Sequence, residues 1–185
     1  MRITKSLIVI LSCFLALPAT AADIKAGEQK AQACTACHGP QGNSGNGQFP
    51  SLAGQQALYL EAQIKAFKEG ARKNPMMGAI AAGLNDEDID NLAAYYASQK
   101  PKSAGGDQKL AQQGAAKFNM CMGCHGSSAE GRGVFPRLAG QQPDYIVKQL
   151  KDFKAGTRKG GPMSAMAANL SDDDIKALAA YLGSL

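Results

Sequence analysis

Cys34-Thr35-Ala36-Cys37-His38 and Cys121-Met122-Gly123-Cys124-His125 place one five-residue pattern in each half of a 185-residue chain. Two cysteines separated by two residues share a single turn of backbone, and the imidazole that follows is aimed at whatever the thiols hold. This spacing lets both thiols bond the vinyl groups of one porphyrin while the histidine takes an axial position on its iron, the attachment pattern of c-type haem. A bare Cys-x-x-Cys would also suit a dithiol redox site or a zinc knuckle. Here both patterns carry the histidine, and they use both histidines and four of the five cysteines of the chain. Outside them only Cys13 remains, so no further His is left to complete a four-ligand zinc site around either pattern. Cys34, Cys37, Cys121 and Cys124 are therefore read as the attachment residues of two haems, with His38 and His125 as iron ligands.

Residues 1–22 have the form of an export signal. Arg2 and Lys5 supply the charged start, Leu7 to Leu17 the apolar run, and Ala19-Thr20-Ala21 or Thr20-Ala21-Ala22 a small-residue cleavage site. The apolar run is short for a membrane span, so an uncleaved anchor is the lesser alternative. Cys13 lies inside it and is read as a small hydrophobe removed with the leader. Export suits the cofactor, because covalent attachment needs reduced thiols and haem delivered together outside the cytoplasm. The periplasm of a Gram-negative cell is the expected location. Losing Arg2 and Lys5 leaves 18 basic against 15 acidic residues, and the formal charge falls from +5 to +3. With no Trp and no basic stripe, a nucleic-acid role has no support.

Internal repetition constrains the fold next. Phe49-Pro50-Ser51-Leu52-Ala53-Gly54-Gln55-Gln56 returns 86 positions later as Phe135-Pro136-Arg137-Leu138-Ala139-Gly140-Gln141-Gln142. Tyr59, Gln63, Phe67, Gly70, Arg72 and Lys73 recur at the same offset as Tyr145, Gln149, Phe153, Gly156, Arg158 and Lys159. The cysteine patterns are offset by 87, so one residue is missing between His125 and Phe135. Two homologous domains follow, 23–100 and 101–185, each of about 80 residues and small for a lone core. A haem in each would supply the missing core. The join at Gln99 to Gly106 is rich in Pro, Gly and Lys and reads as a linker; its shortness favours a fixed pair over two tethered bodies.

Each half reads as helical, with no competing alternation of the strand type. Helices are expected over Ile24 to Ala33, Leu58 to Lys68, Gln108 to Met120 and Tyr145 to Lys154, with Leu58, Ile64 and Phe67 among good helix formers in the second. Asn85 with Asp88 and Ser171 with Asp174 have capping spacing, and acids crowd the turn that follows each. Ile89, Leu92, Ala93 and Tyr96, then Ile175, Leu178, Ala179 and Leu182, mark one buried face on each terminal helix. The fold class is all-α.

With both histidines used, a sixth iron ligand has to come from methionine. Met76, Met77, Met163 and Met166 lie between the middle and last helices of their halves. At the offset of 86 Met77 falls on Met163, whereas Met76 falls on Pro162 and Met166 on Ile80. A ligand should be present in both copies, which selects Met77 and Met163 and leaves Met76 and Met166 as packing. Pairing Met76 with Met163, from the Pro-Met dipeptides, needs a further gap. Met120 and Met122 flank a cysteine, too close to the proximal side to reach the opposite face of the ring.

Two Cys-x-x-Cys-His halves, each with a Phe-Pro-x-Leu-Ala-Gly-Gln segment and a Met ahead of an acid-capped helix, resemble the cytochrome c4 family of dihaem class I cytochromes c. The resemblance spans essentially the whole chain after the leader. It implies two cytochrome c folds with their haems close together, each iron held by His and Met, and single electrons passed between redox proteins. In that family the proline of the Phe-Pro segment accepts the proximal imidazole N–H, which implies Pro50 for His38 and Pro136 for His125. Gly27 and Gly114 resemble its close crossing point between first and last helices. The expected partners are a quinol-oxidising complex and a terminal oxidase, with peripheral membrane association left open and no small-molecule substrate. The alternative is a dihaem subunit of a periplasmic dehydrogenase of the flavocytochrome type. A dihaem peroxidase would need an open iron, and both halves offer a methionine. An enzyme is therefore not expected. Arg72, Lys73, Arg158 and Lys159 suit an acidic partner, haem propionates, or simply a solvated face.

Overall fold

The computed structural model describes residues 21–185. Of the expected leader only Ala21 and Ala22 fall within that range, and Cys13 lies outside the described residues. The first half comprises α1 (Ile24–Ala31), α2 (Thr35–His38), α3 (Ala57–Lys68), α4 (Pro75–Ala82) and α5 (Asp86–Ser98). The second repeats the order with α6 (Gln108–Phe118), α7 (Met122–His125), α8 (Pro143–Lys154), α9 (Pro162–Ala168) and α10 (Asp172–Ser184). Among the described residues no strand forms beyond one isolated bridge between Arg132 and Phe135.

First and last helices of each half pack together, α1 on α5 and α6 on α10. Glycine makes the close approach. A Cβ on Gly27 would stand 2.1 Å from the Asn91 carbonyl oxygen, and one on Gly114 the same distance from that of Ala177. Around these crossings the expected faces of the last helices are buried, with Ile89 and Ala93 at 0% exposure and Ile175 at 0%. Each such Ile contributes about 2 kcal/mol through burial. In α3 the core contact is made by Leu60, with Ile64 and Phe67 on the same face one and two turns on. Leu58 is 55% exposed, because two residues of helix carry it off that stripe.

The caps form as expected. Asn85 accepts from the Asp88 backbone N–H while Asp88 accepts from that of Asn85, and Ser171 with Asp174 does the same. Each box ties back to the first helix, through Lys30 to Asp88 and Lys117 to Asp174. The Lys117 ammonium and then the Ser171 backbone hold the Asp174 carboxyl down at about 2, against an ordinary 3.8. The unfolded chain takes up this proton first, so the contact stabilises the fold above about pH 4 and is lost as pH falls toward about 2. Lys117→Met should lower the melting temperature at about pH 6, with the gap to wild type closing by about pH 2; calorimetry across that range checks it.

Residues 99–107 form neither helix nor strand between the halves and are tied to both. Asn43 donates to the Lys100 carbonyl at 3.2 Å and accepts from the Lys102 N–H at 2.9 Å, while the Ser103 hydroxyl donates to the Gly183 carbonyl at 2.8 Å. The connection is pinned on both sides, which makes the halves a fixed pair.

Candidate functional site

Each Cys-x-x-Cys-His segment closes on a short helix that ends at its histidine, and a positive-φ glycine, Gly39 or Gly126, then turns the chain away. His38 and His125 are buried, at 8% and 5% exposure. The His38 Nδ1 lies 2.9 Å from the Pro50 carbonyl oxygen and that of His125 lies 2.9 Å from Pro136. A carbonyl can only accept, so Nδ1 carries the proton and Nε2 keeps its lone pair for a metal. Burial holds both imidazoles below the ordinary histidine range, although the proline contact pulls the other way. Neutral rings with a free Nε2 are what an iron needs.

The cysteines argue against dithiol chemistry. Burial raises the Cys34 and Cys121 thiols, Cys37 and Cys124 adding to the effect, although the Tyr96 hydroxyl pulls Cys34 the other way. A redox Cys-x-x-Cys needs its attacking thiol lowered. Among the described residues no three His, Cys, Asp or Glu side chains converge as a metal-binding group.

Met77 and Met163 sit in the first turns of α4 and α9, two short helices that hydrophobic periodicity missed. Their signal was start chemistry, Pro75 and Pro162 at the opening, with Asn74 capping the Met77 N–H at 3.0 Å. Both methionines are half-buried, whereas Met76 and Met166 are exposed at 53% and 37%. Met77 precedes Ala81, and Met163 precedes Ala167, by one helical turn, and both alanines are fully buried.

The two sites meet across an interface that repeats itself under exchange of the halves. Gln141 accepts from the Ser51 N–H at 2.7 Å and donates to the Ser51 carbonyl at 2.9 Å. Gln55 does the same to Arg137, at 2.7 and 2.9 Å. Gln142 donates to the Ser44 carbonyl at 2.6 Å and Gln56 to that of Glu130 at 3.0 Å. Arg72 stacks on Phe67, bonds Gln63 of its own half at 2.8 Å, and reaches across to the Tyr145 hydroxyl at 2.7 Å and Gln149 at 2.9 Å. Arg158 mirrors it with Phe153, Gln149, Tyr59 and Gln63. Both guanidinia are half-buried and bonded to neutral side chains, and among the described residues no ion pair reaches either. Such cations suit an anionic neighbour. Lys73 and Lys159 stay exposed. Sequence motifs alone leave the arginines open to a solvated face and give Gln55 and Gln141 no role. The signal was there, since polar residues duplicated at one offset have no core to explain them.

Comparison with known proteins shows the family. The cytochrome c family model matches residues 24–100 and again 111–185. Cytochrome c4 of Pseudomonas aeruginosa is 41% identical, over 89% of this chain and 90% of its own length. A thiosulfate dehydrogenase electron acceptor of Stutzerimonas stutzeri is 39% identical over 84% of this chain and 80% of its own. The crystal structure of reduced cytochrome c4 from Pseudomonas stutzeri matches with a TM-score of 0.85 at 38% identity, covering 89% of this chain and 100% of that one. Two all-α cytochrome c domains, each with its cysteine pair, buried neutral histidine and covalently bound haem, place this chain in the cytochrome c4 family of dihaem electron carriers.

Proposed function

We propose that the protein works in the periplasm, released from its leader over residues 1–22. There it takes single electrons from a quinol-oxidising complex, passes them toward a terminal oxidase, and makes or breaks no substrate bond. The observation that supports this reading is the exchange-symmetric interface of Gln55, Gln141, Arg72 and Arg158, which would keep two one-electron sites together. When bound, each haem supplies an iron that cycles between ferrous and ferric. Cys34, Cys37, Cys121 and Cys124 tether the two porphyrins. His38 and His125 would bind the irons through Nε2, with Nδ1–H committed to Pro50 and Pro136. Met77 and Met163 would supply the second ligand of each iron, and the soft thioether would favour the ferrous state, raising each potential above that of a bis-histidine site. We assign Arg72 and Arg158 to the haem propionates, whose charge they would offset. A rigid, water-poor surround changes little when charge moves, which keeps reorganisation small.

A second reading has one specific support, the relative that accepts electrons from thiosulfate dehydrogenase. The same sites would then take electrons from a periplasmic dehydrogenase. Stopped-flow reduction separates the two. Rapid reduction of the ferric protein by a quinol-oxidising complex with quinol, and reoxidation by oxidase-containing membranes, is the expected result. Reduction by thiosulfate with its dehydrogenase alone would select the second reading, and turnover of hydrogen peroxide would overturn both.

A further inference from the structure

The Pro50 carbonyl and the Ser51 N–H belong to one peptide group. Its carbonyl accepts from His38 at 2.9 Å and its N–H donates to Gln141 of the opposite half at 2.7 Å. In the second half, the group joining Pro136 to Arg137 accepts from His125 at 2.9 Å and donates to Gln55 at 2.7 Å. We infer that each half tunes the other half's haem through this shared peptide: Gln141 sets the strength of the His38 proximal hydrogen bond, and Gln55 that of His125.

The orientation of each amide is forced. Gln141 Oε1 faces two N–H groups, of Ser51 and Gln142, while its Nε2 faces the Ser51 carbonyl. Gln55 faces Arg137 and Gln56 in the same way. Both glutamines are buried, at 6% and 7% exposure, where water does not compete. Hydrogen bonds in series polarise one another. An N–H that gives its proton to glutamine leaves more negative charge on the oxygen across the same resonant C–N bond, and that oxygen then draws the imidazole proton harder. An imidazole with more anionic character stabilises ferric iron, so the effect lowers the potential of the opposite haem. Gln55 and Gln141 are thus positioning residues that couple the two sites through two peptide groups.

The inference rests on ligation by His38 and His125 and not on the identity of any partner. Gln141→Met keeps the length of the side chain and removes the acceptor; Gln55→Met is its reciprocal. Stepwise redox titration of the holoprotein should show the N-terminal haem shifted to higher potential by Gln141→Met with the C-terminal haem unmoved, and the reverse for Gln55→Met. In the reduced state the proton signal of the affected imidazole Nδ1–H should move upfield, as expected of a weaker hydrogen bond. A purely structural role predicts the opposite sign: a loosened interface wets both haems and lowers both potentials. A fall in both potentials, or no shift with an unmoved Nδ1–H signal, overturns the inference. Absence of low-spin imidazole signals in the wild-type protein would instead overturn the ligation beneath it.

Discussion

Met77→Ala and Met163→Ala are each expected to let one haem of the reduced protein bind carbon monoxide, one equivalent per chain, whereas Met76→Ala lets in none. The argument is one of register. From Lys68 onward the halves keep their offset of 86: the Lys68 ammonium donates to the Leu84 carbonyl and Lys154 to that of Leu170, each at 2.5 Å. Ala81 and Ala167 are both at 0% exposure. Counting back one turn from these anchors reaches Met77 and Met163, so the two sulfurs leave equivalent points on equivalent helices. Removing one should also lower the potential of its own haem, because the thioether is what favours ferrous iron. Optical titration with carbon monoxide reads this directly. If Met76→Ala opens the N-terminal haem and Met77→Ala does not, the Pro-Met dipeptides set the register and the offset argument fails.

Gly27→Ala and Gly114→Ala should each destabilise the protein by about 3 kcal/mol, the upper part of the range for forcing extra volume into a packed contact. That corresponds to a melting temperature lowered by roughly 10 °C for a chain of this size. The sign is the informative part. In an unconstrained helix interior, alanine in place of glycine stabilises by about 1 kcal/mol. Here the new Cβ meets a backbone oxygen at 2.1 Å in both halves, and a backbone carbonyl has no rotamer by which to withdraw. Gly78→Ala in α4 is the control, since its nearest neighbour would be the Phe67 carbonyl oxygen at 3.7 Å. Thermal melts of the three variants check this, and a Gly27→Ala or Gly114→Ala protein that melts at or above wild type would show that the helices do not cross there.

Much of the fold was legible because duplication lets each half test the other. The terminal helices announced themselves through capping boxes and a four-residue apolar face, and both appear in place. Local chemistry was equally readable around the haems, where the pattern of Cys34 to His38 states cofactor and ligand together and Pro50 meets His38 as the family resemblance implied. The helices α4 and α9 escaped because eight and seven residues are too few for apolar periodicity to declare itself. Long-range polar contacts escaped for a deeper reason. Gln55 and Gln141 act 82 and 90 residues away along the chain, on backbone groups with no residue signature. Arg72 and Arg158 look like surface cations until Tyr145 and Tyr59 are placed beside them. Even the linker, flexible by composition, is held by Asn43 and Ser103, single side chains whose targets only the folded chain supplies.

The most direct test is the optical spectrum of the dithionite-reduced protein purified from periplasm, with haem per chain quantified, before and after carbon monoxide. Two covalent haems per chain and an unchanged Soret band are expected, since His38 with Met77 and His125 with Met163 would leave no position open on either iron. A Soret shift on adding carbon monoxide would reveal an open iron and contradict the account, moving ligand binding or peroxide chemistry ahead of electron carriage.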